Sequence, residues 1–184
     1  MSFEAGVRFF TLLAFVAGAG AVLVVVARLI PAARSLLDVV ADVSVWLAWL
    51  VAAVATSGSL WFSEAQSLVP CELCWYQRIV MYSLAVVLLV GALRHDRAVR
   101  WYAVPIAGLG LAISAYHYLI EWHPQWEGTE CDVTVPCSVP YFREYGFVSL
   151  SFMAMCGFTA ILALLLLVPQ RRQDPDTDPP PEFM

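Results

Sequence analysis

The sequence has few charged residues for its length, and this shortage indicates the class of protein. Of its 184 residues only 14% are charged, whereas 61% are hydrophobic and the mean hydropathy is +0.74. A typical soluble domain has about 25% charged and about 45–50% apolar residues. A soluble globule of this size has too little polar surface to cover such a chain, which excludes a soluble enzyme and a disordered protein. The composition indicates an integral membrane protein in contact with a lipid bilayer.

Positive charge is scarce as well. The chain has no lysine, and its ten arginines leave a formal net charge of −5 at pH 7. Proteins that bind nucleic acid carry clustered lysine and arginine on one surface. The arginines here form no such cluster, so we expect no nucleic-acid partner.

Long apolar segments are abundant. A helix needs roughly 20 apolar residues to cross the hydrocarbon of a bilayer, whereas strands of an outer-membrane barrel are shorter and alternate. Five segments fit the helical pattern: Phe9–Ala27, Val43–Phe62, Cys71–Leu93, Trp101–Ile120 and Gly146–Val168. The first is longer than the apolar part of a signal peptide, and no small-residue cleavage site follows closely, so we expect it to be retained.

These segments predict an all-α integral membrane protein, with a four-helix transmembrane bundle as its core and one extra N-terminal transmembrane helix. Residues 1–42 are predicted to form the extra helix and a cytoplasmic connector, whose residues 28–42 favour a short amphipathic helix. Residues 43–168 form the predicted core. Residues 169–184, rich in proline and aspartate, are predicted to be a disordered cytoplasmic tail.

The arginines also predict an orientation. Seven of the ten fall on one side of the predicted bundle: Arg28, Arg34, Arg94, Arg97, Arg100, Arg171 and Arg172. Loops rich in arginine stay in the cytoplasm, so the N-terminus and the cysteine-bearing loops are expected outside.

Four of the five cysteines occur as two pairs on the predicted outer side. Cys71 and Cys74 form a C-x-x-C at the start of the third segment, and Cys131 and Cys137 lie in the loop before the fifth. Dithiols outside the cytoplasm normally become disulfides. Cys156 lies inside the last apolar segment, where a cysteine behaves as a small apolar residue.

The C-x-x-C motif can be redox-active, structural or half of a zinc site. A helix N-terminus favours a thiolate, and Cys71, Cys74 and Arg78 fall on one helix face. Arginine close to membrane depth is costly and indicates a partner, such as the Cys74 thiolate or a carbonyl oxygen of a ligand. The alternatives are an Arg78 that extends to water, a Cys₄ zinc site, and two inert disulfides.

Two stretches resemble the DsbB/BdbC family of disulfide bond formation proteins, in its BdbC-like branch. Residues 60–84, LWFSEAQSLVPCELCWYQRIVMYSL, place an arginine four residues after C-x-x-C as that family does. Later, YHYLIEWHP and CDVTVPCSVPYFREYGFVSLSF resemble its second loop and last helix. The vitamin K epoxide reductase family, the nearest alternative, generally places its loop cysteines before the C-x-x-C. The extra N-terminal helix is a departure from the four-helix family.

The resemblance implies a quinone-dependent protein-disulfide oxidoreductase in a bacterial or archaeal cytoplasmic membrane. Such an enzyme reoxidises an extracytoplasmic DsbA/BdbD-like thioredoxin-fold partner and passes electrons to menaquinone or ubiquinone. By resemblance, Cys71, Cys74, Cys131 and Cys137 are the expected catalytic residues, and Cys131 is the sulfur expected to be attacked by the partner.

The quinone is expected beside the cysteine-bearing helix ends, with Arg78, Trp75 and Tyr76 as binding residues and no metal. Trp61 and Phe62 are further candidate neighbours. His117 and His123 could move protons, but satisfied interfacial histidines are the simpler interpretation. Two rival functions stay open: a reductase that runs the same cysteines outward, and a non-catalytic protein with structural disulfides or zinc.

Overall fold

The computed structural model describes residues 2–128, 131 and 134–168, without the side chains of Leu36 and Arg97. The predicted disordered tail, with Arg171 and Arg172, lies outside the described residues.

The described part of the chain is helical and contains no strand, only an isolated bridge between Glu144 and Val148. Its helices are α1 (Phe3–Leu29), α2 (Arg34–Val40), α3 (Ser44–Leu60), α4 (Glu72–Leu93), α5 (Arg100–Trp122) and α6 (Leu150–Leu166). Short turns at Pro31–Ala33 and Ala41–Val43 flank α2, and α3 continues into a wider π-turn at Trp61–Ala65. The predicted all-α class is confirmed, and the segment 28–42 contains the short helix α2.

Within the described ranges, four stretches are long and apolar enough to cross a bilayer: Phe3–Leu29, Pro31–Ala65, Glu72–Leu93 and Arg100–Trp122. The fifth, α6, has 17 residues and is shorter than the apolar segment that predicted it. The difference has a local cause, because the chain turns at Gly146 (φ +81°) and the Ser149 side chain then caps α6. The chain is a multi-pass membrane protein.

The core of the bundle lies between α3, α4, α5 and α6. Its fully buried side chains include Leu84 and Leu88 of α4 and Phe158 and Ile161 of α6. Small residues let the helices approach: a methyl group on Gly110 of α5 would overlap the Phe158 ring.

Helix α1 packs against this core rather than standing apart. Ala21 of α1 is buried against Ala160 and Ala163 of α6, and Gly18 of α1 faces the Cys156 side chain. The predicted apolar role of Cys156 agrees with this place in the α1–α6 contact.

The two ends of the bundle differ in chemistry. At one end, Ala27, Leu37, Ala41 and Val168 form a small apolar cluster near the α1–α3 connector. The other end, which we call the cysteine end, carries Cys71, Cys74 and the described residues of the segment 123–149. There α1, α4 and α6 begin and α3 and α5 finish.

Adding a methyl group at Gly110 should destabilise the bundle, because the Phe158 ring already occupies that space. We expect Gly110→Ala to lower the free energy of unfolding by about 1–3 kcal/mol. Gly108→Ala, two residues away on the same helix and facing open space, should be neutral or slightly stabilising. Thermal unfolding in detergent measures both; equal midpoints would contradict this account of the α5–α6 contact.

Candidate active site

The C-x-x-C pair sits at the first turn of α4. Cys71 is the N-cap residue, and its Sγ accepts a hydrogen bond from the Cys74 backbone N–H (3.4 Å). Both are free thiols whose sulfur atoms lie 2.8 Å apart. Pro70 fits the extended entry to the helix, where backbone N–H groups and the helix dipole favour a thiolate.

The second pair forms a disulfide between Cys131 and Cys137. The Glu127 carboxylate anchors the loop by accepting from the Cys137 N–H (2.6 Å), the Ser138 N–H (3.2 Å) and the Ser138 hydroxyl (2.6 Å). Cys137 is 1% exposed, whereas Cys131 is only partly buried. The disulfide removes two of the four thiolates that a Cys₄ zinc site needs, which excludes that alternative for this structure.

The two cysteine pairs are neighbours. All four cysteines belong to one apolar cluster together with Leu73, Ile113, Ile120 and Val135. The Tyr141 hydroxyl donates to the Val69 carbonyl (2.6 Å), which ties the loop to the segment that precedes Cys71.

A buried histidine lies between the pairs. His117 Nε2 is 3.1 Å from the Cys137 carbonyl oxygen and 3.8 Å from Cys71 Sγ, and Nδ1 is 2.8 Å from the Gln77 side-chain nitrogen. Because a carbonyl only accepts, Nε2 carries the proton it donates, and Nδ1 of the neutral ring accepts from Gln77. His117 is 4% exposed, so this histidine is buried within the protein and its ring nitrogens are satisfied by neighbouring groups.

The pKa of the Cys71 thiol is lowered from 9.0 to about 5. The hydrogen bond with the Cys74 thiol is the largest cause, and the hydrogen bond from His117 acts in the same direction, while burial opposes both. At neutral pH Cys71 is therefore a thiolate, the form that attacks disulfides.

Glu121 is a buried carboxylate on the same side of α5, one turn beyond His117. It is 6% exposed; its Oε1 accepts from the Ser151 hydroxyl (2.6 Å) and lies 4.0 Å from His117 Nε2. No local sequence pattern singled out Glu121 as a site residue. Cys71, Cys74 and His117 also bring three soft donor atoms within 4.8 Å of one another, a set that could hold a metal ion.

Arg78 lies two turns into α4 and is 8% exposed, so its head group does not extend to water. Its guanidinium donates to the hydroxyls of Ser59 (3.0 Å), Tyr82 (3.1 Å) and Ser63 (2.6 Å) and lies 5.0 Å from the centre of the Trp75 ring. All these partners are neutral, and among the described residues no carboxylate lies within 4.0 Å of it. A buried cation without a counter-ion is suited to an electron-rich ligand.

Two cavities meet at Cys74. The first, the apolar cavity, has a volume of about 310 Å³, with Cys74, Gln77 and Arg78 in an otherwise largely apolar lining from α1, α3, α4 and α6. The second, the disulfide cavity, has about 370 Å³ and is lined by Cys71, Cys74, His117, Glu121, Cys137 and loop residues. Cys71 lines only the disulfide cavity and Arg78 only the apolar one.

The aromatic residues expected at the quinone are placed differently from one another. Phe62 lines the apolar cavity, whereas Trp61, Trp75 and Tyr76 are not among its lining residues. Trp75 and Tyr76 are 50% and 40% exposed, and the Tyr76 hydroxyl donates to Glu72 (3.1 Å). Trp75 reaches the site only through its contact with Arg78.

Comparison with known proteins identifies similar sequences. The family model "DsbB: Disulfide bond formation protein DsbB" matches residues 41–168. Disulfide bond formation protein C of Bacillus subtilis (strain 168) is 40% identical over 127 residues, covering 68% of this chain and 92% of the relative. Probable disulfide formation protein C 2 of Bacillus anthracis is 42% identical over 127 residues, covering 69% and 91%. No solved structure gave a significant match.

Removing His117 should raise the pKa of Cys71, because His117 contributes a hydrogen bond that favours the thiolate. At pH 6, above the wild-type value of about 5, we expect iodoacetamide to alkylate Cys71 several-fold more slowly in His117→Ala. His123→Ala, which removes an exposed histidine stacked on Trp126, is the control. Mass spectrometry of the labelled peptide measures the rate; an unchanged pH profile in His117→Ala would contradict the assignment.

Proposed function

Since the chain belongs to the DsbB family of disulfide bond formation proteins, a family of membrane protein-disulfide oxidoreductases, we propose that it oxidises an extracytoplasmic thioredoxin-fold dithiol and passes the electrons to a membrane quinone. One observation carries the proposal: Cys74 lines both cavities, with the loop disulfide on one side and a buried cation on the other.

Exchange begins at the loop disulfide. A partner thiolate attacks Cys131, the more accessible sulfur, forms a mixed disulfide with it and releases the Cys137 thiolate inside the disulfide cavity. With Cys71 and Cys74 oxidised, the Cys137 thiolate attacks Cys71, and the Cys71–Cys74 bond breaks to leave the Cys74 thiolate at the apolar cavity.

The loop pair is then restored. The partner's second thiolate attacks the partner's first sulfur, which is bonded to Cys131 in the mixed disulfide. The partner therefore leaves as a disulfide, and Cys131 is released as a thiolate. That thiolate attacks Cys137, re-forms the loop disulfide and releases Cys71. The partner has lost two electrons, which now reside in the Cys71–Cys74 dithiol; this is the oxidation state of the present structure.

The apolar cavity fits a quinone. Its lining is largely apolar, as an isoprenoid quinone requires, and Arg78 offers positive charge without a competing carboxylate. A bound quinone, menaquinone or ubiquinone, would take up two electrons and two protons as the Cys71–Cys74 disulfide re-forms. Arg78 would hold a ring oxygen, and Ser59, Ser63 and Tyr82 fix the guanidinium for that contact.

The same proposal places the cysteine end outside a bacterial or archaeal cytoplasmic membrane. The described arginines away from that end, Arg28, Arg34, Arg94 and Arg100, all lie near the opposite ends of the helices. Arginine-rich ends remain in the cytoplasm, so the loop disulfide faces the oxidising compartment and a secreted partner.

Loss of Cys74 should abolish electron transfer to quinone. In an anaerobic assay with a reduced thioredoxin-fold dithiol, we expect the wild type to reduce added quinone and Cys74→Ser to fall to background. Cys156→Ser, which changes a thiol at the α1–α6 contact, should keep wild-type rates. If the wild type reduces neither a benzoquinone nor a naphthoquinone, the proposed function is wrong.

Removing the buried charge should weaken quinone use more than partner use. We expect Arg78→Gln to raise KM for quinone by about 10- to 100-fold, the loss of a hydrogen bond from a charged donor, with KM for the partner unchanged. Arg100→Gln, at the opposite end of the bundle, is the control. Steady-state kinetics separate the two constants, and equal effects on both would argue against a quinone contact.

A further inference from the structure

Helix α1 has no counterpart in the family match, which begins at residue 41, yet it lines the apolar cavity. It contributes Phe10, Leu13, Ala14, Val16 and Ala17 to the lining. We propose that α1 binds the isoprenoid side chain of the quinone and that this side chain passes out of the bundle between α1 and α3. This inference rests on the proposed function and adds to it a binding wall supplied by the extra helix.

The position of α1 is determined by specific contacts. The Trp61 ring occupies the space where a side chain at Gly6 would lie, and the Phe10 ring packs on Gly58 of α3. Arg8 forms an ion pair with Glu144 (3.5 Å), which joins α1 to the loop before α6. A helix that only anchored the chain would need none of these contacts with the cysteine end.

The chemistry of the lining separates ring from tail. Cys74, Gln77 and Arg78 come from α4, and the other polar residues of the lining, Ser59, Ser63, Tyr82 and Tyr141, also lie outside α1. The five α1 residues add only hydrocarbon, along a stretch of about 10 Å from Phe10 to Ala17. A ligand with an oxygen-bearing ring at Arg78 therefore meets α1 with its apolar part.

The exposure of two lining residues locates the exit. Val16 of α1 is 62% exposed and Leu50 of α3 is 50% exposed, although both line the apolar cavity. These side chains face lipid and cavity together, so the cavity opens to the bilayer between α1 and α3. A side chain too long for a cavity of about 310 Å³ can continue through this opening into the lipid.

Two alanines on α1 give a matched pair of variants. Ala17 lines the cavity and is partly buried, whereas Ala19 is exposed and does not line it. We expect Ala17→Phe to weaken binding of a quinone with an isoprenoid chain by about tenfold, the loss expected when a few methylene groups are excluded. Binding of the same ring without a side chain should change less than about twofold, and Ala19→Phe should alter neither.

Binding is measured on the full chain in nanodiscs by quenching of tryptophan fluorescence, with turnover recorded in parallel. Equal affinity of Ala17→Phe and Ala19→Phe for the quinone with an isoprenoid chain would overturn the proposal that α1 binds that chain. Quinone reduction by the wild type would still support the proposed function in that case. Equal weakening of quinones with and without that chain would also overturn the α1 proposal. A wild type that neither binds nor reduces any quinone would overturn both.

A second measurement needs no variant, and so holds even if Ala17→Phe fails to fold. A quinone with a photoreactive group in its side chain should label the tryptic peptide 9–28 of the wild-type protein, and excess unlabelled quinone should suppress the labelling. Suppressible labelling confined to peptides outside α1 would overturn the proposal.

Discussion

The first two turns of α4 set the geometry on which the site depends. Cys71 caps the helix, Cys74 lies one turn in, and Arg78 lies one turn further. A helix rises about 1.5 Å per residue, so these three residues follow one another along the helix axis. Cys71 lies at the disulfide cavity, Cys74 at both cavities and Arg78 at the apolar cavity. A one-residue shift of the helix start would turn Cys74 about 100° away and break its contact with both cavities.

Three buried ionisable side chains lie at the first two turns of α4 or next to them, and the free-energy cost of burying them explains their location. Arg78, His117 and Glu121 are each less than 9% exposed, and an unpaired charge inside a bilayer is expensive. All three lie within about two turns of the cysteine end, where hydroxyls, carbonyls and the loop satisfy most of their polar atoms. The buried core nearer the opposite end is almost entirely apolar. The polar groups are thus concentrated where charge and protons must be handled.

Sequence patterns predicted the apolar spans, the two cysteine pairs and the position of Arg78 on the same helix face as Cys74. These features could be predicted because apolar length and helical spacing are local properties of the chain. The same patterns did not place His117 and Glu121, since α5 is apolar around most of its circumference and nothing local shows which face meets the site. Neighbours in sequence need not share a surface of the helix. Trp75 and Tyr76 adjoin Cys74 along the chain, but successive helical residues point about 100° apart, which turns both towards the surface. The place of α1 depends on contacts between distant residues, such as the Trp61 ring at Gly6.

In the proposed function, the unequal burial of the loop cysteines favours one order of exchange. Attack at the accessible Cys131 releases the sulfur of Cys137, which is 1% exposed and adjoins the same cavity as Cys71. Attack at Cys71 in turn releases Cys74, the only cysteine that lines the apolar cavity among the described residues. In the proposed exchange, this geometry pairs the same sulfur atoms for electrons moving either way. The direction of net flow follows from reduction potentials, since for a two-electron couple about 30 mV between donor and acceptor changes the equilibrium tenfold. If the proposed acceptor at Arg78 has the higher potential, the protein would act as an oxidase, and the same residues would act as a reductase with a donor of lower potential.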